Sequence, residues 1–195
     1  MYITRKKEVN NPMNTGVNKT ENTETKIILV RPTIEMKQKA LEYRKEHFDN
    51  GEKIINGSEL FDKIECYEEW LEKVKNNTSL DTVDSNWVVT DTFFAIDGNE
   101  KIVGIIDLRH SLNEFLKDFG NCGYSVRPTE RRKGYATEML RQIIIAAKKI
   151  GLSELNLSVE RDNEASIKTI VKNGGKYYRS FEYEGNLADV YKILI

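Results

Sequence analysis

The run Val126-Arg127-Pro128-Thr129-Glu130-Arg131-Arg132-Lys133-Gly134-Tyr135-Ala136-Thr137 holds the residue types that bind anions. A short strand-like stretch, Gly123 to Val126, leads into a basic turn. Met139, Leu140, Ile143, Ile144 and Ala147 then recur at helical spacing. A strand, a basic turn and a helix N-terminus together offer an anion site. The first amides of a helix have no intrahelical acceptor, and the helix dipole is positive there. Gly134 lets the backbone approach a ligand where a Cβ would collide, and Ala136 keeps the next position open.

The spacing Arg131-x-x-Gly134-x-Ala136 resembles the acetyl-CoA loop of the GCN5-related N-acetyltransferases. Further on, Asp162-Asn163-Glu164-Ala165-Ser166 and Asn173-Gly174-Gly175 are similar to that family's second half. Arg109-His110-Ser111-Leu112-Asn113, Gly123-Tyr124-Ser125-Val126-Arg127-Pro128 and Glu130-Arg131-Arg132-Lys133-Gly134-Tyr135-Ala136 resemble a group of bacterial acetyltransferases. The likeness is close over about the last 100 residues and looser before them. It implies an α/β fold, a central twisted mixed β-sheet flanked by helices, and transfer of acetyl from acetyl-CoA to a primary amine by direct attack.

The same resemblance implies the cofactor-binding set. The amides from Arg132 through Lys133, Gly134, Tyr135 and Ala136 to Thr137 would cradle the pyrophosphate. Arg131, Arg132 and Lys133 would add charge at the mouth. Val126 would bond a carbonyl of the cofactor from its backbone, where the strands near 122–126 and 153–160 splay apart. Asn163 and Ser166 would meet the pantetheine amides. Asp162 also reads as a helix N-cap, and Asn173-Gly174-Gly175 as a helix stop.

Three residues are catalytic candidates. An ammonium with pKa ~10.4 is neutral in only about one molecule in a few thousand at pH 7, so attack requires losing a proton. His110, an imidazole at the end of a strand, is the candidate base. Its structural alternative is to orient the 111–119 loop, together with Arg109, through backbone carbonyls. The departing thiolate gains from a proton donor, which many relatives supply as a Tyr seven residues after the Asn. Here that position is Ile170. Tyr178, with Tyr177 beside it, is the candidate replacement, one of the pair being expected in the core. Tyr124 could face the acyl group or simply pack.

The elements that must position these groups follow from periodicity. A strand over 27–30 stops at Pro32, and Thr33 can cap a helix to about Phe48, with Met36, Ala40, Leu41 and Tyr43 inward. Tyr67, Trp70, Leu71 and Val74 mark a second helix. Strands at 87–96 and 101–108 flank the turn Asp97-Gly98-Asn99-Glu100. Strands at 122–126 and 153–160, helices at 135–150 and 163–173, and strands at 176–183 and 188–194 complete the order βααβββαβαββ. Residues 1–25, polar and without period, read as a disordered tail. The single domain then runs 26–195.

Composition limits the alternatives. The chain has 195 residues, with Lys+Arg 30 against Asp+Glu 31 and a formal charge of −1. No global field draws it to nucleic acid, and no apolar run is long enough for a membrane span. Cys66, Cys122, His47 and His110 complete no metal spacing, so no metal is expected. Two isolated cysteines suit the cytoplasm. The expected partners are acetyl-CoA and an amine, a small molecule slightly favoured. Two rivals remain: a non-catalytic acyl-CoA-binding module, supported by Ile170, and an interaction protein whose last strands form a homodimer.

Overall fold

The computed structural model describes residues 26–195; the expected tail, 1–25, lies outside them. Strand β1 (Ile27–Val30) leads through a 3-10 turn (Ile34–Met36) into helix α1 (Lys37–Asp49). Thr33 has an extended backbone but makes no side-chain cap. Its carbonyl instead accepts from Met36 N (3.2 Å) and from the Tyr67 hydroxyl (2.7 Å), tying the start of α1 to helix α2 (Tyr67–Asn76). Ala40, Tyr43 and His47 bury one face of α1, and Tyr67, Trp70, Leu71 and Val74 bury one face of α2, as helical spacing requires.

Strands β2 (Thr90–Asp97) and β3 (Ile102–Arg109) form the expected hairpin. Its turn is held by Asp97 Oδ1, which accepts from the amides of Asn99 and Lys101, each at 2.9 Å. The segment expected as a loop at 111–119 ends in a short helix, α3 (Leu116–Phe119). Strand β4 (Tyr124–Val126) and a 3-10 turn (Pro128–Glu130) lead into α4 (Tyr135–Lys149). Strand β5 (Glu154–Glu160), α5 (Glu164–Lys172), β6 (Lys176–Tyr183) and β7 (Asn186–Leu194) follow.

The expected central sheet is divided in two. One half has the order β1-β2-β3-β4 and the other β5-β7-β6, each paired antiparallel. The halves are stitched at one end only, through a bridge between Gly120 and Leu157. There Asn121 N donates to Asn156 O (2.7 Å), and Asn156 N donates back to Asn121 Oδ1 (3.0 Å). Asn121 Nδ2 also holds Arg109 O at 3.1 Å. Past this stitch β4 has no partner on its outer side, so a wedge opens.

Two cores cover the two faces. On one, Met139, Leu140, Ile143 and Ala147 of α4 pack with Ile106, Leu108, Leu155, Leu157 and Ile170. On the other, Tyr43, Phe61, Tyr67, Trp70 and Phe94 form a network of edge-on and tilted rings. Neither Tyr177 nor Tyr178 joins a core: both are more than half exposed, at 58 % and 56 %. The register of β6 shifts between Tyr177 and Arg179, which breaks the strict alternation on which that expectation rested.

Candidate active site

The wedge exposes one edge of β4. Asp107 N donates to Gly123 O (3.1 Å) and Arg127 N to Val103 O (2.9 Å), so residues 123 and 127 bond β3. In an antiparallel ladder the intervening groups alternate outward. The backbone groups of Tyr124 and Val126 therefore point into the gap. Arg131 Nε reaches back to Val126 O at 3.2 Å. Beyond the Pro128–Glu130 turn, Arg132 (φ +63°) and Gly134 (φ +86°, ψ 0°) adopt left-handed backbone before α4 begins. These kinks turn successive amides to one side, forming a concavity for an anion at the positive end of α4. The helical ladder starts only with Glu138 N, which donates to Gly134 O at 3.1 Å.

A cleft of ≈ 600 Å³ occupies this wedge. Its walls are Tyr124 to Val126, the turn with Arg131, Arg132 and Gly134, the first turn of α4 (Tyr135, Ala136, Thr137), α5 and the 52–56 loop. Of the ten residues implied for cofactor binding, nine line it. Lys133 is the exception and pairs with Glu130 (2.7 Å), which also holds Lys101 (2.6 Å).

Arg131 is held ready by Glu52 at 2.7 Å, a carboxylate that also meets His47 Nδ1 at 2.7 Å. Burial alone would raise the Glu52 pKa, but bonds from Arg131, His47 and Asn50 bring it down to about 2. Glu52 therefore stays ionised, and a phosphate at this mouth must compete with it for Arg131. Helix α5 is capped by Asn163, whose Oδ1 accepts from Ser166 N (3.1 Å); Asp162 is not the cap. Asn163 also lines the cleft. Ser166, Thr169 and Lys172, spaced by three, present one flank of α5 to the gap. Ile170 turns away into the core, 1 % exposed.

Tyr124 stands on the cleft floor, its hydroxyl donating to Ser166 O at 3.4 Å. Burial pushes its pKa up to about 12, so the phenol keeps its proton at neutral pH. His110 and Tyr178 do not join it. The His110 ring is 3.0 Å from Asp91 through Nε2, and its amide donates to Val89 O. Asp91 also binds Arg31 at 2.5 Å. His110 follows the end of β3 that pairs with Asn121, at the stitched end rather than in the gap. Arg109 does orient the loop, donating to Gly120 O at 3.1 Å. Tyr178 lies on β6 with Lys192 Nζ 4.2 Å from its ring centroid.

Sequence reasoning missed Glu52, Ile54, Asn56, Thr169 and Lys172. The last two could have been found from their spacing to Ser166. The 52–56 segment has no period and gave no signal. It also missed a buried carboxylate pair behind β4. Asp107, fully buried, accepts from Gly123 N (2.6 Å) and Arg109 Nη2 (2.7 Å) and bonds the Glu59 side chain. Glu59 accepts from Asn77 Nδ2 at 2.7 Å. Burial and the Asp107 charge push Glu59 up to about 7. Asp107 has a guanidinium and an amide to hold its charge, so the pair's shared proton rests on Glu59. Gly57 lies flat against Gly123 here; a Cβ on it would collide with Gly123 O.

The Acetyltransferase (GNAT) domain family matches residues 57–176, from this Gly57 contact through the wedge to the start of β6. The chain belongs to the GNAT acetyltransferases. It is thereby an acetyl-CoA-dependent N-acetyltransferase by family. Solved GNAT structures share its fold at low identity. The RimL ribosomal L7/L12 α-N-protein acetyltransferase, in complex with coenzyme A, is 14% identical with a TM-score of 0.65, covering 88% of this chain and 95% of that one. The spermidine/spermine N-acetyltransferase SpeG from Vibrio cholerae is 14% identical with a TM-score of 0.60, over 86% and 93%. The microcin C7 self-immunity acetyltransferase MccE, bound to acetyl-CoA and AMP, is 14% identical with a TM-score of 0.63, over 87% and 92%. No curated protein sequence matches this GNAT chain significantly. Among its described residues no helix is long and apolar enough to cross a membrane, and no group of three His, Cys, Asp or Glu could hold a metal ion.

Proposed function

We propose that residues 26–195 act as one domain that binds acetyl-CoA in the wedge and transfers acetyl to a primary amine by direct attack. The observation that carries this reading is the conjunction of two binding surfaces in one cleft. An unpaired β4 edge offers backbone groups to an extended amide chain, and a left-handed turn offers amides to a pyrophosphate. The chain's own groups fit acetyl-CoA. Arg131 and Arg132 flank the anion concavity, Val126 presents its amide to the gap, and Asn163 and Ser166 face it from α5. Acetyl-CoA supplies an activated thioester. The protein supplies alignment of that thioester along β4 and a neutral phenol, Tyr124, able to donate a hydrogen bond to the departing sulfur.

No residue of the cleft takes the acceptor's proton as clearly as Tyr124 gives one. Water at the open side serves as the proton's first acceptor in this reading, and His110, tied to Asp91, serves structure. A second reading, an acyl-CoA-binding module without turnover, draws on Ile170. Its support weakens because Ile170 faces the core, while a half-buried tyrosine stands in the cleft on β4.

The decisive experiment is acetyl-CoA binding by calorimetry for the wild type and Gly134→Glu, followed by CoA release against a panel of amines. A Glu at a position with φ +86° strains the turn and places a carboxylate in the anion site. Micromolar binding lost in a folded variant, with amine-dependent CoA release, supports the enzyme. Binding without amine-dependent release supports the module. No binding by the wild type ends both.

A further inference from the structure

Beside the stitch between the half-sheets, on the face away from α4, lies a run of aromatic rings, none of which lines the cofactor cleft. Leu155, Leu157 and Val159 of β5 enter the α4 core, so Ser158 and Glu160 face the other way. The register pairs Glu160 with Ala188 and Ala188 with Phe181, and pairs Asn186 with Tyr183. Directly paired residues share a face, so Phe181 and Tyr183 stand on the same side as Glu160. Helix α3 lies on this face, fixed by Ser158 Oγ donating to Phe119 O (3.0 Å) and by Arg179 pairing with Asp118 (2.5 Å).

The Phe119 ring centroid is 6.0 Å from Phe181 and 4.9 Å from Tyr183, both edge-on at 86°, and 5.0 Å from Phe115. These four rings form a continuous shelf whose two ends stay open to solvent, Phe115 at 57 % exposure and Tyr183 at 45 %. Carboxylates edge it. Glu160 lies on the shelf face, three residues before the cleft-lining Asn163, and Glu184 interacts with the Tyr183 hydroxyl. The neighbouring cations are already paired: Arg179 with Asp118, its guanidinium carbon 5.7 Å from the Phe181 ring centroid, Lys117 with Glu114 and Arg161 with Asp189.

We propose that this shelf is the acceptor subsite and that it selects a small cationic amine carried on an aromatic or bulky apolar body. The inference rests on the acetyltransferase reading and deepens it. An acceptor arrives as an ammonium, which Glu160 and Glu184 attract and ring faces stabilise. Its apolar body covers the exposed ring surface of Phe115 and Tyr183, and the bound amine then lies beside the junction of β4 and β5. A polar amine gains only the charge attraction and forfeits that burial. An acidic or neutral acceptor gains neither.

The test compares acetyl transfer to 2-phenylethylamine, hexylamine and ethanolamine by the wild type and by the double variant Phe115→Ala/Tyr183→Ala. Acetyl-CoA binding by calorimetry is measured for both proteins. Both rings are largely exposed, so the variant should keep its fold, which circular dichroism checks. The expected result is a kcat/KM for 2-phenylethylamine at least tenfold above that for ethanolamine. The variant should lose that preference, with acetyl-CoA affinity unchanged. Equal rates for aromatic and polar amines, or a preference that survives in the variant, would overturn the shelf while leaving the acetyltransferase reading intact. A wild type that fails to bind acetyl-CoA overturns both. A wild-type dimer that the double variant abolishes, without any change in amine preference, assigns the rings to self-association instead.

Discussion

Two side chains near β4, Tyr124 in the cleft and Glu59 behind the strand, have pKa values displaced by their surroundings, and both yield predictions. Tyr124 is half-buried against Ser166 O, with a pKa pushed up to about 12. If it steadies the leaving sulfur, Tyr124→Phe should lower kcat by roughly 100-fold, the low end of what a positioned acid contributes. The acetyl-CoA dissociation constant should stay within about threefold, because the phenyl ring keeps its packing. A kcat within about threefold of wild type would remove Tyr124 from the chemistry. Glu59 makes a second prediction, about stability. Its carboxyl releases a proton near 4.5 when unfolded and near 7 when folded, so the folded state binds more protons between those values. The associated stability is full below about pH 4.5 and is lost as pH rises through about 7. Wild-type Tm should therefore fall between about pH 5.5 and 8 relative to Glu59→Gln, by roughly 5 °C for a loss near 1–2 kcal/mol. Parallel Tm profiles for the two proteins would show that Glu59 titrates as an ordinary surface carboxyl.

At the scale of elements, the stitch between the half-sheets decides whether the wedge exists. Asn121 bonds Asn156 O from its backbone N, and its side chain bonds Asn156 N and Arg109 O, the residue being almost fully buried. Asn121→Ala leaves Asn156 N and Arg109 O without those partners, each unsatisfied group costing about 1–3 kcal/mol. Chemical denaturation should show a loss of roughly 2–4 kcal/mol, two such groups with partial relief by water. A loss below about 0.5 kcal/mol would mean that backbone contacts alone join the halves. This junction was not legible in the sequence, because nothing local distinguishes Asn121 from a loop asparagine. The strongly periodic elements were legible: Tyr67, Trp70, Leu71 and Val74 sit on one buried face of α2, and Asp97 closes its hairpin through two amides. The left-handed turn before α4 was legible because its signal is local, held in a few consecutive residues around Gly134. His110 and Tyr178 fall outside the cleft lining because a strand's register, not its neighbours in sequence, decides what faces the gap. The Glu59–Asp107 pair and the 52–56 wall depend on contacts across about fifty or more positions of chain, which no spacing rule reports.

Over the whole molecule, the wedge separates two half-sheets that are joined directly at the stitch and packed under a common α4 core. A ligand seated along β4 contacts the turn before α4, the cap of α5 and the 52–56 loop together, so it ties both halves of the sheet to one body. Binding to the folded state alone stabilises it by RT ln(1 + [L]/Kd), about 2.7 kcal/mol when acetyl-CoA is present at 100 times its dissociation constant. For a domain of this size that raises Tm by roughly 5–10 °C. The shift should grow with the logarithm of ligand concentration, and desulfo-CoA should reproduce most of it, because the pyrophosphate and pantetheine make the contacts argued above. Adenosine alone should give little, since it cannot span the turn and the β4 edge at once. The same titration on Gly134→Glu should show no shift at any concentration, while its unliganded Tm falls by roughly 2–12 °C, given a strain of about 1–3 kcal/mol at one left-handed residue. A Gly134→Glu protein that still gains the full shift would place acetyl-CoA somewhere other than this turn, and the wedge would lose its claim to be the active site.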